Sequence, residues 1–229
     1  EQVKFYTRQY INSVAPTNYL FSNPEVCEEI LKSKGQSMLK GIENFMRDLE
    51  HSPLEAFKIT QTDMSAFELG GNLATTPGDI VYQNDLIQLI HYTPKKAKTY
   101  APPILFVPPF INKYYILDLD EKKSVVKGLL DAGFSVFMIS WVNPDKSLAD
   151  HDFVSYMKHG PIAALDVVCN ITGQPKVNMV GFCVGGTLSA MTSAYLRAQG
   201  DERILSLTLL TTLLDFSEPG EIGNYLTEE

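Results

Sequence analysis

The chain has 229 residues, of which 45% are hydrophobic and 20% charged, as is ordinary for a globular protein that can bury a sizeable core. Its formal net charge of −8 argues against a nucleic-acid partner and against a basic, membrane-binding face. No apolar run has the length of a transmembrane helix. The cysteines, Cys27, Cys169 and Cys183, form neither a metal-ligand spacing nor a disulfide framework, which predicts a protein of the reducing cytoplasm.

The first part of the chain carries helical patterns. Apolar residues recur at helical spacing over residues 3–14, and Asn23 followed by Pro24 is typical of the N-cap and first turn of a second helix. A third apolar stripe follows Gly35 and consists of Met38, Ile42, Phe45, Met46 and Leu49. We expect these stripes to pack into a core, and we assign residues 1–78 to a helical N-terminal domain.

From residue 80 the pattern changes to strands that alternate with helices. A β-hairpin is predicted over residues 80–92, with its turn at 83–85. Further strands are predicted at 103–107, 134–139, 177–180 and 204–210, and helices at 122–132, at 161–171 and directly after Cys183. This alternation indicates an α/β fold with a mostly parallel sheet and crossover helices.

One stretch of the sequence indicates chemistry. The apolar strand at 177–180 runs into Gly181, and the pattern Gly-x-Cys-x-Gly leads at once into a helix of small residues. This is the pattern of the nucleophile elbow of α/β-hydrolases, written with cysteine. Because the turn is tight, the residues two before and two after the nucleophile must lack side chains, which Gly181 and Gly185 satisfy. Gly186 and Ser189 further let the helix approach the sheet.

Cys183 is therefore the candidate nucleophile. It is expected at the carboxyl end of the sheet, where open α/β folds bind ligands, and at a helix N-terminus, whose dipole favours negative charge. The N–H of Val184 is the candidate for one oxyanion donor. The second normally comes from the loop after an earlier strand, here residues 108–112, so Phe110 or Ile111 is the candidate. The alternative is a buried structural cysteine in a glycine-rich turn.

A complete catalytic triad is not visible in the sequence. In α/β-hydrolases the acid and then the histidine follow the nucleophile. The four histidines all precede Cys183, and they are His51, His91, His151 and His159. Asp215 follows the strand predicted at 204–210 too closely to be the triad acid. We therefore expect the acid and the histidine to lie beyond residue 229, and the α/β-hydrolase sheet in this chain to be incomplete.

Several blocks in order along the chain resemble polyhydroxyalkanoate synthases. They are residues 5–10, 15–20, 23–25, 67–70, 72–78, 84–86, 107–119, 140–144, 181–187 and 211–216. The long helical N-terminal region resembles that of the single-subunit type. The resemblance implies an enzyme that joins (R)-3-hydroxyacyl groups from coenzyme A thioesters into a polyester and releases coenzyme A. It further implies a covalent acyl-Cys183 thioester, a Cys-His-Asp triad and no cofactor or metal.

The same resemblance implies the organisation and partners of the protein. It implies a homodimer that attaches to polyester granules in the cytoplasm, with the growing polyester chain and hydroxyacyl-coenzyme A as its ligands. Residues 79–215 would form the first part of the catalytic domain, and residues 216–229 the start of a cap segment. Tyr114, Tyr115 and Ile116 would either wall the active site or belong to the core.

Two other interpretations stay open. A cysteine-dependent hydrolase or thioesterase would share the whole elbow and differ only in using water to attack the acyl group. A catalytically incomplete, granule-binding piece would fit the absence of a histidine after Cys183.

Overall fold

The computed structural model of the protein describes residues 1–52, 59 and 61–225. The chain divides into two units, one formed by Glu1–Met64 with Ser217–Glu229 and one formed by Ser65–Phe216. The first unit holds three α-helices, and the second holds the β-sheet with its covering helices.

The sheet of the second unit has six strands in the order β1-β2-β4-β3-β5-β6. The strands are β1 (Gly78–Gln83), β2 (Ile87–Tyr92), β3 (Ile104–Val107), β4 (Val136–Trp141), β5 (Val177–Phe182) and β6 (Ile204–Leu210). β2 is antiparallel to both of its neighbours, whereas β4, β3, β5 and β6 are parallel to one another. The prediction of a mostly parallel α/β sheet that begins with a hairpin is confirmed.

Four α-helices accompany the sheet: α4 (Val125–Ala132), α5 (Phe153–Met157), α6 (Ala163–Thr172) and α7 (Val184–Ala198). Gly133 ends α4 with φ 101°, as predicted from its glycine. The bounds predicted for the next strand, 134–139, are wrong. The N–H groups of Gly133 and Phe134 still donate to the carbonyl of Leu129 at 3.1 and 3.0 Å, so they close the helix and β4 begins only at Val136.

The helix predicted at 161–171 also begins later than expected. A π-helical turn at Lys158–Ile162 precedes it, and the short α5, which was not predicted, leads into that turn. Pro161 lies in the turn and has no N–H to donate, so the regular α-helical bonding pattern cannot run through it.

The sheet is covered by apolar side chains on both faces. Alternate residues of β3 enter two different core clusters, with Leu105 and Val107 in one and Ile104 and Phe106 in the other. The first cluster packs against α6 and α7, and the second packs against α4. Helices on both faces of a parallel sheet are the arrangement that the alternating sequence pattern predicted.

The first unit contains α1 (Gln2–Ser13), α2 (Pro24–Lys32) and α3 (Gln36–His51). The predicted N-cap of α2 is confirmed, because the Asn23 side chain accepts the N–H groups of Glu25 and Val26 at 2.9 and 3.3 Å. None of the helices in the described ranges is long and apolar enough to cross a membrane.

The prediction that the helical stripes of this unit form a core is wrong. Among its described residues, Phe5 is the one buried hydrophobic side chain. The side chains of the third stripe are exposed, and they are Met38, Ile42, Phe45, Met46 and Leu49. The physical reason is that amphipathic helices bury their apolar faces only where another layer covers them, and within this unit α2 and α3 leave most of that surface open.

Candidate active site

The turn between β5 and α7 holds Cys183 in a strained backbone conformation. Cys183 has φ 53° and ψ −128°, which L residues rarely adopt. Its N–H donates to the carbonyl of Leu210, and its carbonyl accepts the N–H of Gly186, both at 2.9 Å. The thiol is exposed, in contrast to the half-buried Cys27 and Cys169. The elbow therefore presents the sulfur at the carboxyl edge of the parallel strands.

Two glycines let the elbow helix lie directly on its surroundings. A β-carbon on Gly181 would lie 2.8 Å from the Ser189 Oγ and would collide with the Cα of Gly186. A β-carbon on Gly186 would in turn overlap the side chain of Thr212, which follows β6. The contacts explain why the sequence has glycine at both positions.

A third glycine brings the elbow against the loop that follows β3. A β-carbon on Gly185 would collide with the carbonyl oxygen of Val107 and lie 2.6 Å from the carbonyl carbon of Pro108. The loop at 108–112 therefore starts in contact with the first turn of α7, next to Cys183. This is the loop that the sequence analysis assigned to the second oxyanion donor.

Three backbone N–H groups are free to donate, one in the elbow and two in the loop at 108–112. Within the described ranges, the N–H groups of Val184, Phe110 and Ile111 have no hydrogen-bond acceptor. The next N–H in the loop, that of Asn112, is already used, because it donates to the Pro109 carbonyl at 3.2 Å. Free N–H groups beside a nucleophile are what an oxyanion hole requires. The choice of Phe110 or Ile111 as the second donor stays a prediction.

Aromatic side chains contact the loop at 108–112 and support it. The indole N–H of Trp141, the last residue of β4, donates to the Pro108 carbonyl at 2.8 Å. The Phe110 ring stands edge-on to Trp141 at 6.0 Å and lies 5.0 Å from the ring of Tyr156. No local pattern in the sequence indicates a role for Trp141. The signal that could have found it is a polar indole N–H at the end of a buried strand, where it needs a partner.

His91 is remote from Cys183. It lies in β2 opposite Phe137, stacks on that ring at 4.1 Å and places its Nε2 3.1 Å from the Ser135 Oγ. Burial lowers the pKa of His91, although the nearby Asp79 acts in the opposite direction. Across the sheet, His91 is in register with Met179 of β5. Met179 lies four positions before Cys183, which corresponds to about 13 Å along the strand.

The remaining predicted residues lie as follows. Tyr114 packs against the second core cluster, and burial together with Asp118 raises its pKa, so it belongs to the core. Cys169 lies on α6, where burial raises the pKa of its thiol. Asp215 is exposed beyond β6. In the part of the chain that the structure describes, no three His, Cys, Asp or Glu side chains are arranged to hold a metal ion.

Two family models match the sequence. The model described as the alpha/beta hydrolase fold matches residues 102–224, which contain the elbow. The model described as the N-terminus of poly-beta-hydroxybutyrate polymerase (PhaC) matches residues 1–129, more than half of the chain. The chain belongs to the poly(3-hydroxyalkanoate) polymerase family. The resemblance that the sequence blocks indicated is thereby confirmed.

Individual polymerases align with nearly the whole chain. It is 42% identical over 228 residues to the poly(3-hydroxyalkanoate) polymerase subunit PhaC of Cupriavidus necator, an alignment that covers 100% of this chain and 38% of that protein. The polymerase of Methylorubrum extorquens is 41% identical, with 99% of this chain and 37% of that protein covered. The chain thus spans little more than a third of the length of these polymerases. Among solved structures, a fungal esterase from Rhizomucor miehei aligns with a TM-score of 0.48 and 17% identity over 72% of this chain and 54% of that one.

Proposed function

We propose that the complete protein polymerises (R)-3-hydroxyacyl groups from coenzyme A thioesters, with Cys183 as the covalent nucleophile. The observation that carries this proposal is an exposed cysteine in a strained elbow, within a chain of the poly(3-hydroxyalkanoate) polymerase family. The free N–H groups around the elbow support it further, because acyl transfer builds negative charge on the carbonyl oxygen.

The first step transfers the acyl group to the enzyme. The Cys183 thiolate attacks the thioester carbonyl carbon, and the oxygen that becomes negative accepts hydrogen bonds from Val184 and from Phe110 or Ile111. When the carbonyl re-forms, the bond to the coenzyme A sulfur breaks, and coenzyme A leaves and takes up a proton. One thioester replaces another, so little free energy is lost and the acyl group stays reactive.

The second step lengthens the polyester. The hydroxyl of a hydroxyacyl group attacks the acyl-Cys183 carbonyl, an ester forms, and the thiolate is released. This hydroxyl must lose its proton to a general base, which we assign, together with its acidic partner, to sequence beyond residue 229. Neither step oxidises or reduces the substrate, so we propose that the reaction uses no cofactor.

A substitution of the nucleophile tests the proposal. Cys183→Ser in the complete protein should lower coenzyme A release from 3-hydroxybutyryl-coenzyme A by about 10³-fold or more, because a lost nucleophile costs several orders of magnitude. Cys27→Ser and Cys169→Ser are the matched controls and should keep most of the activity. A Cys183→Ser enzyme that kept more than about a tenth of the wild-type rate would remove Cys183 from the mechanism.

A cysteine-dependent thioesterase is the second candidate, because the exposed Cys183 would form the same acyl-enzyme. The two functions differ in the group that attacks this intermediate, and a polymerase must keep water away from it. Product analysis separates them: a polymerase converts 3-hydroxybutyryl-coenzyme A into high-molecular-mass ester, whereas a thioesterase releases free 3-hydroxybutyrate.

We also propose that the complete protein attaches to polyester granules in the cytoplasm as a homodimer, with a cap segment that starts near Phe216. The exposed apolar stripe of α3 supports the attachment, since an apolar polyester surface would cover it. Ile42→Asp should weaken co-sedimentation with polyester particles, whereas Lys40→Asp on the same helix should not. The homodimer rests on the family resemblance, and sedimentation velocity of the complete protein tests it.

A further inference from the structure

The structure assigns to Trp141 a role beyond packing: we propose that it is a positioning residue that holds the loop at 108–112 in the geometry needed for oxyanion stabilisation. The proposal rests on the proposed function of Cys183 as an acyl-transfer nucleophile. Trp141 does not reach the reacting atoms. It acts through the backbone of the loop, and three sets of contacts carry the inference.

The first observation is that the backbone at the start of the loop makes few hydrogen bonds. Pro108 and Pro109 have no N–H group, so their carbonyl groups are the only backbone polar groups that can tie this segment down. The Pro109 carbonyl accepts from Asn112 within the loop itself. The Pro108 carbonyl accepts the indole N–H of Trp141 at 2.8 Å, and this buried bond is the one that ties the segment to the sheet.

The second observation is that the same carbonyl group lies against the elbow. The carbonyl carbon of Pro108 would be 2.6 Å from a β-carbon on Gly185. The Pro108 carbonyl group is therefore in contact with both the indole and the first turn of α7. Phe110 is the first residue after Val107 that has an N–H group. This N–H belongs to the next peptide group, which is joined to the Pro108 peptide group through Pro109, whose ring fixes its φ. A shift of the Pro108 peptide group should therefore move the free N–H of Phe110 with it.

The third observation is that neighbouring residues pack against the indole ring and hold it in place. A β-carbon on Gly160 would lie 2.9 Å from Trp141 Cζ3 and would collide with Cη2, so the π-helical turn presses directly on the ring. The ring of Tyr156 lies 5.5 Å away. The turn is fixed in its own place, because Asn84 Nδ2 donates to the His159 carbonyl at 2.8 Å. Single π-helical turns occur frequently at functional sites, where they set local geometry in this way.

Trp141→Phe is the direct test, made in the complete protein, because it keeps an aromatic ring and removes the N–H. We expect kcat for coenzyme A release to fall about 10- to 100-fold, less than the loss of an oxyanion donor itself, while KM changes less than about threefold. Alkylation of Cys183 by iodoacetamide should stay at the wild-type rate, because that displacement forms no oxyanion. Ser140→Ala on the neighbouring position of β4, whose side chain faces the other side of the sheet, is the control.

Hydrogen exchange supplies a readout that does not need activity. In Trp141→Phe, the hydrogen-bonded amides of Asn112 and Lys113, the protected N–H groups in residues 108–113, should exchange about tenfold faster than in wild type, since the loop has lost its bond to the sheet. Gly160→Ala, which pushes on the indole from behind, should reproduce both effects. If Trp141→Phe does not fold, Gly160→Ala still tests whether the indole positions the loop.

The outcomes separate this proposal from the proposed function. Faster loop exchange with lower kcat and unchanged alkylation supports the role of Trp141. Unchanged loop exchange, or equal losses of acylation and alkylation, overturns it. A wild-type protein that never becomes acylated at Cys183 would instead overturn the proposed function, and the loop exchange of the two variants would still show whether Trp141 holds the loop.

Discussion

The backbone N–H of Cys183 donates to the carbonyl of Leu210 at 2.9 Å, which joins Cys183 to the last residue of β6. β5 and β6 are paired up to Phe182 and Leu210, so this bond continues their ladder one step into the elbow. The positive φ of Cys183 is thus held by a neighbouring strand as well as by its own helix. Changes that disturb the packing of the elbow should therefore alter catalysis without touching the substrate.

The elbow glycines give the first prediction. Gly181→Ala and Gly185→Ala place a β-carbon against backbone atoms that cannot move without shifting α7 or β3. Each should lower the free energy of unfolding by about 1–3 kcal/mol and lower the rate of coenzyme A release. Gly128→Ala in α4 is the control, since its β-carbon meets open space. Thermal melts and activity at the wild-type level in both elbow variants would show the steric argument to be wrong.

A buried carboxylate gives the second prediction. Asp118 is fully buried and accepts the hydroxyl groups of Thr76 and Ser124 at 2.5 and 2.6 Å. Asp118→Ala leaves both hydroxyl groups without this acceptor, so it should lower the free energy of unfolding by about 2–4 kcal/mol in denaturant titrations. Asp150→Ala on the exposed surface should change it by less than about 0.5 kcal/mol. Equal stabilities of the two variants would contradict this account of Asp118.

The third prediction concerns pH. Burial holds the pKa of His91 below its usual 6.5 in the folded protein, so the unfolded chain binds a proton first as the pH falls. His91 should therefore cost no stability above about pH 6.5 and should destabilise the fold increasingly as the pH drops from there through its lowered pKa. His91→Phe, which keeps a ring stacked on Phe137, should show a smaller fall in Tm between pH 7.5 and pH 5.5. An unchanged fall would mean that His91 does not contribute.

The sequence predicted the sheet and the elbow because both are determined by local chemistry. A strand buried on both faces, such as β3, appears in the sequence as a short continuous apolar run, and the elbow requires glycine on both sides of Cys183 whatever surrounds it. The resemblance to the polymerase family rested on ordered blocks, and the family models match the same chain.

The features that the sequence did not predict depend on contacts between distant residues. The hydrogen bond from Trp141 to Pro108 joins positions 33 residues apart, so no local pattern in the sequence predicts it. Within the π-helical turn at Lys158–Ile162, Gly160 lies directly against the Trp141 ring, a contact that no local pattern in the sequence shows. The exposure of Ile42 and Phe45 could not be read from their helical spacing either, since an apolar stripe does not reveal whether another layer covers it.

Whether Cys183 carries the acyl group can be measured by mapping the covalent intermediate. Butyryl-coenzyme A lacks the 3-hydroxyl group, so it can acylate the enzyme but cannot lengthen a polyester. The complete protein is incubated with it, quenched in acid, digested and analysed by mass spectrometry. The account predicts a butyryl group on the peptide that contains Cys183, removed by neutral hydroxylamine and absent from Cys183→Ser. Coenzyme A release with the butyryl group on Cys27, on Cys169 or on a residue other than cysteine would contradict it.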